Sequence, residues 1–247
     1  MPATLNHHSF PQPAKDTARL WRYMDLAKYV SLLKDRSLFF ARLDKFSDKY
    51  EGSLTKHHNE YLQSLHEWIT KEPNNIAILR SQSAETTLKL RDLTYASCWH
   101  QNDQESMAMW DLYASRGQGI CISTRYCDLA NALSEDIFLG KVNYINYDSE
   151  SYPVDNFFSL VMHKRKAYEY EQEVRAIIWT FGSNSEHRPR AAEFGIQEEV
   201  DLDLVAKEVL VHPNSPPWFL DVVSDVSERY GLKAAPAAST LSLPPIF

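Results

Sequence analysis

Cysteine is scarce in this chain: Cys98, Cys121 and Cys127 are the three among 247 residues. The number is odd, no CxxC pair occurs, and each lies in or beside an apolar stretch. That pattern excludes a disulfide framework and points to a reducing compartment. Glycine is scarce too, with seven, and none falls in a P-loop or a GxGxxG array. There is no HExxH and no internal repeat. Positive charge is in deficit. Lys and Arg number 26 against 33 Asp and Glu, a net charge of −7. A broad nucleic-acid footprint needs clustered basic residues and is not expected, although a small basic patch fits within that balance. No apolar run approaches the ~18 residues of a membrane span. The opening MPATLNHHSFPQPAKD lacks the apolar segment of a signal peptide. These absences lead to the expectation of a soluble cytoplasmic protein.

What is there is an ordinary globular composition, 44% hydrophobic, enough for a real core. Residues 1–18 read as a flexible N-terminal arm, 19–233 as one α+β domain, and 234–247 as an irregular C-terminal tail. Within the domain, Arg19 to Tyr23 is a strand signal. Asp25 then caps a helix from Leu26 to Lys34 whose stripe is Leu26, Tyr29, Val30 and Leu33. Leu38 to Leu43 is a second strand, followed by a polar loop with Asp44, Asp48 and Glu51. Residues 54–92 change character and read as two inserted helices. Their histidines, His57, His58 and His66, lack metal-ligand spacing, so no metal site is expected. Leu93 to Trp99 is a strand, and Glu105 to Ala114 a helix closed by Gly117. Gly119 to Ser123 and Phe138 to Tyr147 are strands, with a short helix from Tyr126 to Leu133 between them. Val154 to His163 reads as helical. A polar loop from Gly182 to Phe194, strands at Ile196 to Leu202 and Glu208 to His212, and a helix begun by Pro216 and Pro217 complete the domain. Short strands with helices among them give an α+β fold.

The chemistry concentrates between Lys164 and Phe181. Val174 to Phe181 is apolar, β-branched and aromatic, with one charge at Arg175, and reads as a buried strand. Glu169, Glu171 and Glu173 precede it at alternate positions. Extended geometry reaching back to Glu171 sets Glu171 and Glu173 on one face. Two adjacent carboxylates repel, so one pKa is expected to rise, which suits general-base or cation-stabilising chemistry. The plainer reading is a solvated acidic loop paired with the basic run Lys164-Arg165-Lys166.

As a set, Leu20-Trp21-Arg22-Tyr23, Leu38-Phe39-Phe40-Ala41, Met109 to Ala114, Gly119 to Ile122, Tyr170 to Arg175 and Val211-His212-Pro213 resemble Domain of Unknown Function family 2971, a bacterial family, over residues 19 to 233. More distantly, the order of elements resembles the ADP-ribosyltransferase-like fold of bacterial toxins and phage-defence effectors. That resemblance implies a mixed or antiparallel sheet core and NAD as substrate. Its acceptor is an unidentified macromolecule, or water. It also implies roles. Arg22 grips the NAD pyrophosphate, or Tyr23 does if the register slips by one. Ser97 supplies the strand hydroxyl, and Trp110 or Tyr113 covers the nicotinamide. Glu171-Gln172-Glu173 matches a Glu-x-Glu pattern with Glu173 as the catalytic carboxylate and Glu171 orienting the nucleophile. The middle strand departs from the pattern, with Ala96-Ser97-Cys98 in place of a Ser-Thr-Ser triplet.

Each assignment has a structural counterpart. Arg22 pairs with Glu171 or Glu173 across the sheet, Trp110 and Tyr113 are core at helical spacing, and Ser97 is a small filler. Cys98 is inert core, or forms a cysteine–histidine pair with His100. Two further functions compete with the enzyme. One is a non-catalytic module binding a nucleotide or protein; the other is a nuclease using Asp44, Asp48 and Glu51. Convergence of Glu173 and Arg22 on one aromatic-walled cavity separates enzyme from module.

Overall fold

The computed structural model describes residues 2–114, 117–180, 192–243 and 245. In chain order the strands and helices are β1 Arg19–Asp25, α1 Leu26–Asp35, β2 Ser37–Arg42, α2 Lys56–Ile69, α3 Pro73–Asp92, β3 Thr94–Gln101 and α4 Met107–Tyr113. There follow β4 Gly119–Arg125, α5 Tyr126–Ala132, β5 Phe138–Lys141, β6 Asn143–Ile145, α6 Phe158–Val161, β7 His163–Arg165 and β8 Glu173–Trp179. The last are β9 Gly195–Glu199, α7 Leu202–Val205, β10 Glu208–Val211, α8 Pro217–Arg229 and β11 Ala237–Ala238. The fold is α+β, with a mixed and mostly antiparallel sheet.

β3 organises that sheet. One of its edges is covered by β8 from Thr94 to His100, and β8 in turn pairs with β5. The other edge is shared by two strands. β2 takes Tyr95 and Ala96, and β1 takes His100 and Gln101. Ser97, Cys98 and Trp99 lie between, in the gap where β1 and β2 part. The sheet therefore forks: β1 leads to β4, β10 and β11, and β2 leads to β9.

Strand alternation sorts side chains onto two faces. Leu20 and Met24 of β1 join Tyr95, Trp99, Val174 and Ala176 in the larger core, against Tyr29 and Leu33 of α1, Leu129 of α5, Val205 of α7 and Phe219 and Val223 of α8. Asp25 caps α1 as its sequence predicts, its side chain accepting from the Lys28 N–H at 2.8 Å. Pro217 opens α8 at the first turn, where the missing N–H is no loss. The other face carries two smaller clusters. Phe10, Leu43, Ala96, Val142, Met162 and Ile177 form one; Trp21, Tyr23, Met109, Trp110 and Cys121 form the other. Between them lie Cys98, His100, Glu173 and Arg175, which oppose one another in the β3–β8 register. A polar band thus divides the apolar face.

Residues 54–92 form the two expected helices, but they contribute little core: His66 alone is buried on α2 and nothing on α3. Three expectations are corrected. The N-terminal arm is not loose. Ala3 and Phe10 are buried, Thr4 bridges to Phe138, and the Lys141 N–H reaches the Pro11 carbonyl at 2.7 Å. Phe10 supplies apolar area that the second cluster needs. The stretch Phe138 to Tyr147 is two strands on different sheets, β5 and β6. The tail is anchored in part, because Glu105 accepts from Ser239 Oγ and the Thr240 N–H. Phe181 and most of the polar loop from Gly182 to Phe194 lie outside the described residues. Among the described residues no helix is long and apolar enough to cross a membrane.

Gly140 lets the N-terminal segment close on the sheet: a Cβ there would sit 2.7 Å from Phe10 Cβ and 2.8 Å from its backbone. Gly140→Ala is expected to lower unfolding free energy by about 1–3 kcal/mol, the usual range for overpacking, and to make residues 2–17 protease-sensitive. An unchanged melting temperature would contradict that packing.

Candidate functional site

The fork opens into a cavity of about 740 Å³, within the range of small-molecule and cofactor sites. β1 contributes Arg22 and Tyr23, β2 Phe39, and β3 Cys98, Trp99 and His100. Tyr113, Lys164, Tyr168, Tyr170, Glu171, Glu173 and Glu51 complete its polar and aromatic wall.

The floor is a buried ion cluster. Three carboxylates converge on Lys164 Nζ: Glu51 Oε1 and Glu173 Oε2 at 3.2 Å each, and Glu171 in closer contact. Arg175, fully buried, donates from Nε to Glu173 Oε1 at 2.6 Å and from Nη2 to Glu173 Oε2 at 3.0 Å and to Glu51 Oε1 at 2.9 Å. Its Nη1 reaches the Val161 carbonyl at 2.6 Å. All three acids are 5% exposed or less. Burial alone would raise the Glu173 carboxyl, but Arg175 and Lys164 outweigh it and hold the group at about 2. Glu171 goes the other way: burial raises it, and Lys164 only partly offsets that. Burial would lower Lys164, but Glu173 and its neighbours push it well above an ordinary lysine. At neutral pH Glu173, Lys164 and Arg175 are therefore charged.

The backbone reaches this arrangement by a route the alternating pattern does not predict. Lys166–Glu171 is a 3-10 turn, and Gln172 is left-handed at φ 41°. Glu171 is therefore not on the strand. It meets Glu173 because both are drawn to Lys164, and one carboxyl rises while the other falls. The acidic run does pair with the preceding basic run, as the plainer reading holds, but in the interior rather than in solvent.

Arg22 occupies the other side of the fork. Trp21 opposes His100, which opposes Glu173, so Arg22 alternates to the opposite face from Glu173. Its Nη1 donates to Ser97 Oγ and its Nη2 to the Phe39 carbonyl, both at 2.8 Å, and it lies 5.7 Å from the Trp99 ring centroid. The guanidinium bridges the gap between β1 and β2. Among the described residues it has no carboxylate partner, so the expected ion pair with Glu171 or Glu173 is not formed. Burial pulls it down to about 10, still a cation at neutral pH.

Five of the sequence-derived candidates line the cavity: Arg22, Tyr23, Tyr113, Glu171 and Glu173. Tyr23 is less free than Arg22, its hydroxyl accepting from the Ser106 N–H at 2.8 Å and its ring edge-on to Trp110. Tyr113 donates to Glu171 Oε1 at 2.6 Å. Two candidates are corrected. Trp110 is wholly buried and donates to Glu105. Its apolar ring completes the cluster around Trp21, and it does not line the cavity. Ser97 is wholly buried and holds Arg22 without lining the cavity. Burial pushes the Cys98 thiol up, which leaves no thiolate for a cysteine–histidine pair.

Sequence reasoning does not place three further residues in this site. Glu51 and Asp48 read as loop polar residues, considered only for a nuclease. Glu51 is 1% exposed, and Asp48 takes a two-pronged contact from Arg165 at 2.8 and 3.2 Å. Lys164 reads in the sequence as part of a basic run. Nothing local marks Glu51, whose partners Lys164 and Arg175 lie more than 100 positions away. The nuclease expectation finds no support in this geometry. Asp44 serves Arg42 and Lys45, and among the described residues no group of three His, Cys, Asp or Glu is placed to hold a metal.

Removing one partner from a buried pair strands the other, which typically costs about 3–5 kcal/mol; Arg175→Met is expected to fall in that range by urea denaturation. The pH dependence has a definite sign. Glu173 sits at about 2 against a reference of 4.5, so its contribution is complete above 4.5 and is lost as pH falls towards 2. The stability difference between the wild type and Glu173→Gln should shrink over that window; a constant difference would mean that Glu173 is not ionised in the native state.

No family model, no curated protein and no solved structure matches this chain, so what the site does rests on the geometry of the fork and the side chains that line it.

Proposed function

We propose that the fork cavity binds NAD and breaks its nicotinamide–ribose bond, passing ADP-ribose to a macromolecular acceptor or to water, in the manner of the ADP-ribosyltransferase-like fold the sequence resembles. The observation that carries this reading is the polarity of one cavity. Arg22 and the Trp99 Nε1–H, which has no partner among the described residues, supply donors on one face. The ionised Glu173, with Glu171 and Glu51 Oε2, which has no partner among the described residues, supplies acceptors on the other. A ligand with an anionic middle and a cationic end matches that division. NAD has both, in its pyrophosphate and its nicotinamide ring.

The roles follow from the chemistry. A planar guanidinium suits a pyrophosphate better than an ammonium does, and Ser97 and the Phe39 carbonyl pre-orient Arg22. Bond cleavage builds an oxocarbenium-like charge on the ribose, which an ionised carboxylate stabilises. Glu173, held ionised by Arg175 and Lys164, is that group. Tyr113 replaces Trp110 as the aromatic wall, where it also excludes water. A toxin or phage-defence role follows from the same resemblance and is analogy of fold.

The alternative is a module that binds a nucleotide without turnover. It is favoured by one observation: both oxygens of Glu173 are engaged by Arg175, which limits their freedom to meet a substrate.

Nicotinamide release from NAD by purified protein, with and without cell lysate, separates the two. The enzyme reading expects release by the wild type and a loss of at least about 10²-fold in Glu173→Gln, the scale of removing one electrostatic stabiliser. Arg22→Lys should raise KM more than it lowers kcat. Tight retention of ADP-ribose with no nicotinamide release by the wild type would establish the binding module instead.

A further inference from the structure

His100 stands directly opposite Glu173 across the β3–β8 pair, which sets their Cβ atoms about 4.5–5.5 Å apart. It is 4% exposed and lines the fork cavity. Its Nδ1 lies 2.6 Å from the Glu171 carbonyl oxygen. A carbonyl only accepts, so Nδ1 carries the proton and donates it. The neutral ring then presents a lone pair at Nε2, and that atom has no partner among the described residues. Buried polar atoms are normally satisfied within the protein. An unpartnered acceptor on a cavity wall, beside an ionised carboxylate, is a contact for something the cavity receives.

The two carboxylates nearest His100 are occupied. Glu171 accepts from Tyr113 at one oxygen and from Lys164 at the other. Glu173 is engaged at both oxygens by Arg175 and is too weakly basic, at about 2, to take a proton. His100 differs from both: neutral, open and adjacent to the carboxylate assigned to the ribose.

We propose that His100 is the proton acceptor for the attacking group, and that the ADP-ribose acceptor is therefore a hydroxyl or water rather than a carboxylate. This deepens the NAD-consuming reading and rests on it. In the step, the attacking oxygen bonds to C1′ of the nicotinamide ribose as the C1′–N1 bond breaks. The electron pair of that bond returns to the ring nitrogen and neutralises the nicotinamide. The O–H proton passes to His100 Nε2 and from there to solvent. No oxidant or reductant is required. A carboxylate nucleophile has no proton to give, and the ionised Glu173 repels it from this end of the cavity.

The groups facing His100 fit the assignment. Glu173 comes from β8, Tyr23 from β1 with its ring centroid 6.5 Å away, and Cys98 precedes it on its own strand. Tyr113 from α4, Glu171 from the 3-10 turn and Lys164 from β7 line the same cavity. Burial lowers His100 from its reference of 6.5, and the bond to the Glu171 carbonyl only partly opposes that. The ring is a free base at neutral pH.

The test pairs two variants and two readouts. His100→Asn keeps a donor for the Glu171 carbonyl and removes the Nε2 acceptor; His100→Gln keeps a polar group near Nε2. In wild type, kcat/KM for nicotinamide release should fall on the acid side with a midpoint below 6.5. His100→Asn should lose about 10²–10⁴-fold, the range for general-base catalysis, abolish that limb, and bind ADP-ribose within threefold of wild type. The second readout is independent of turnover. The ¹⁵N spectrum of the protein at pH 7 should show His100 as the Nδ1–H tautomer, with Nε2 shifting when ADP-ribose is added. An Nε2–H tautomer, an Nε2 indifferent to ADP-ribose, or a His100→Asn enzyme with its acid limb intact would each overturn the proposal. A wild type that shifts Nε2 but releases no nicotinamide would remove the base role along with the enzyme reading. A responsive Nε2 with slow, limb-free turnover in His100→Asn would support both.

Discussion

The bidentate contact between Arg175 and Glu173 is the interaction on which the rest of this structure depends. It places a charge pair inside a strand whose other positions are apolar, and the desolvation penalty is met only because each partner is satisfied several times over. Arg175 spends its donors on two carboxylates and the Val161 carbonyl. Glu173 in turn draws Lys164 inward, and Lys164 draws Glu51 and Glu171. The loop at Glu51, β7, the 3-10 turn and β8 are tied to one point by charge. The apolar clusters on either side of the polar band then pack around a constellation that is already fixed.

The fork has the same logic at the level of the backbone. Continuous pairing along β3 would bring β1 and β2 into line and close the gap. Instead each pairs with β3 over two residues only, and Arg22 crosses the gap to Ser97 and Phe39. A guanidinium that bridges two strands without a carboxylate holds the fork and leaves the cation available. One side of the sheet then offers donors and the other negative charge, and a single cavity reaches both. The polarity follows from strand alternation across the fork and is independent of any particular ligand.

Much of the fold was legible in the sequence because periodicity and caps report local structure directly. Asp25 as a cap, the Tyr29 and Leu33 stripe, the strand at Val174 and the helix begun at Pro217 all follow from spacing. The candidate site was legible only in part. Arg22, Glu171 and Glu173 stand out as charges beside apolar strands. Glu51 and Lys164 do not, because a polar residue in a polar loop carries no local sign that it will be buried by contacts more than 100 positions away. Trp110 was misplaced for a related reason: helical spacing fixes which residues share a face, but not which side of the sheet that face meets. The left-handed Gln172 turn broke the alternation argument, though charge restored its outcome. His100 was visible as a strand end, and its importance appears only once the Glu171 carbonyl fixes its tautomer.

Calorimetric titration of ADP-ribose into wild type and Arg22→Ala, at two salt concentrations, tests whether the fork is a ligand site whose cationic side is Arg22. The account predicts saturable binding to wild type that weakens as salt rises, and a loss of at least about tenfold in Arg22→Ala, in line with the value of a charge-assisted hydrogen bond. Equal affinity in the two proteins, with both folded, would contradict it.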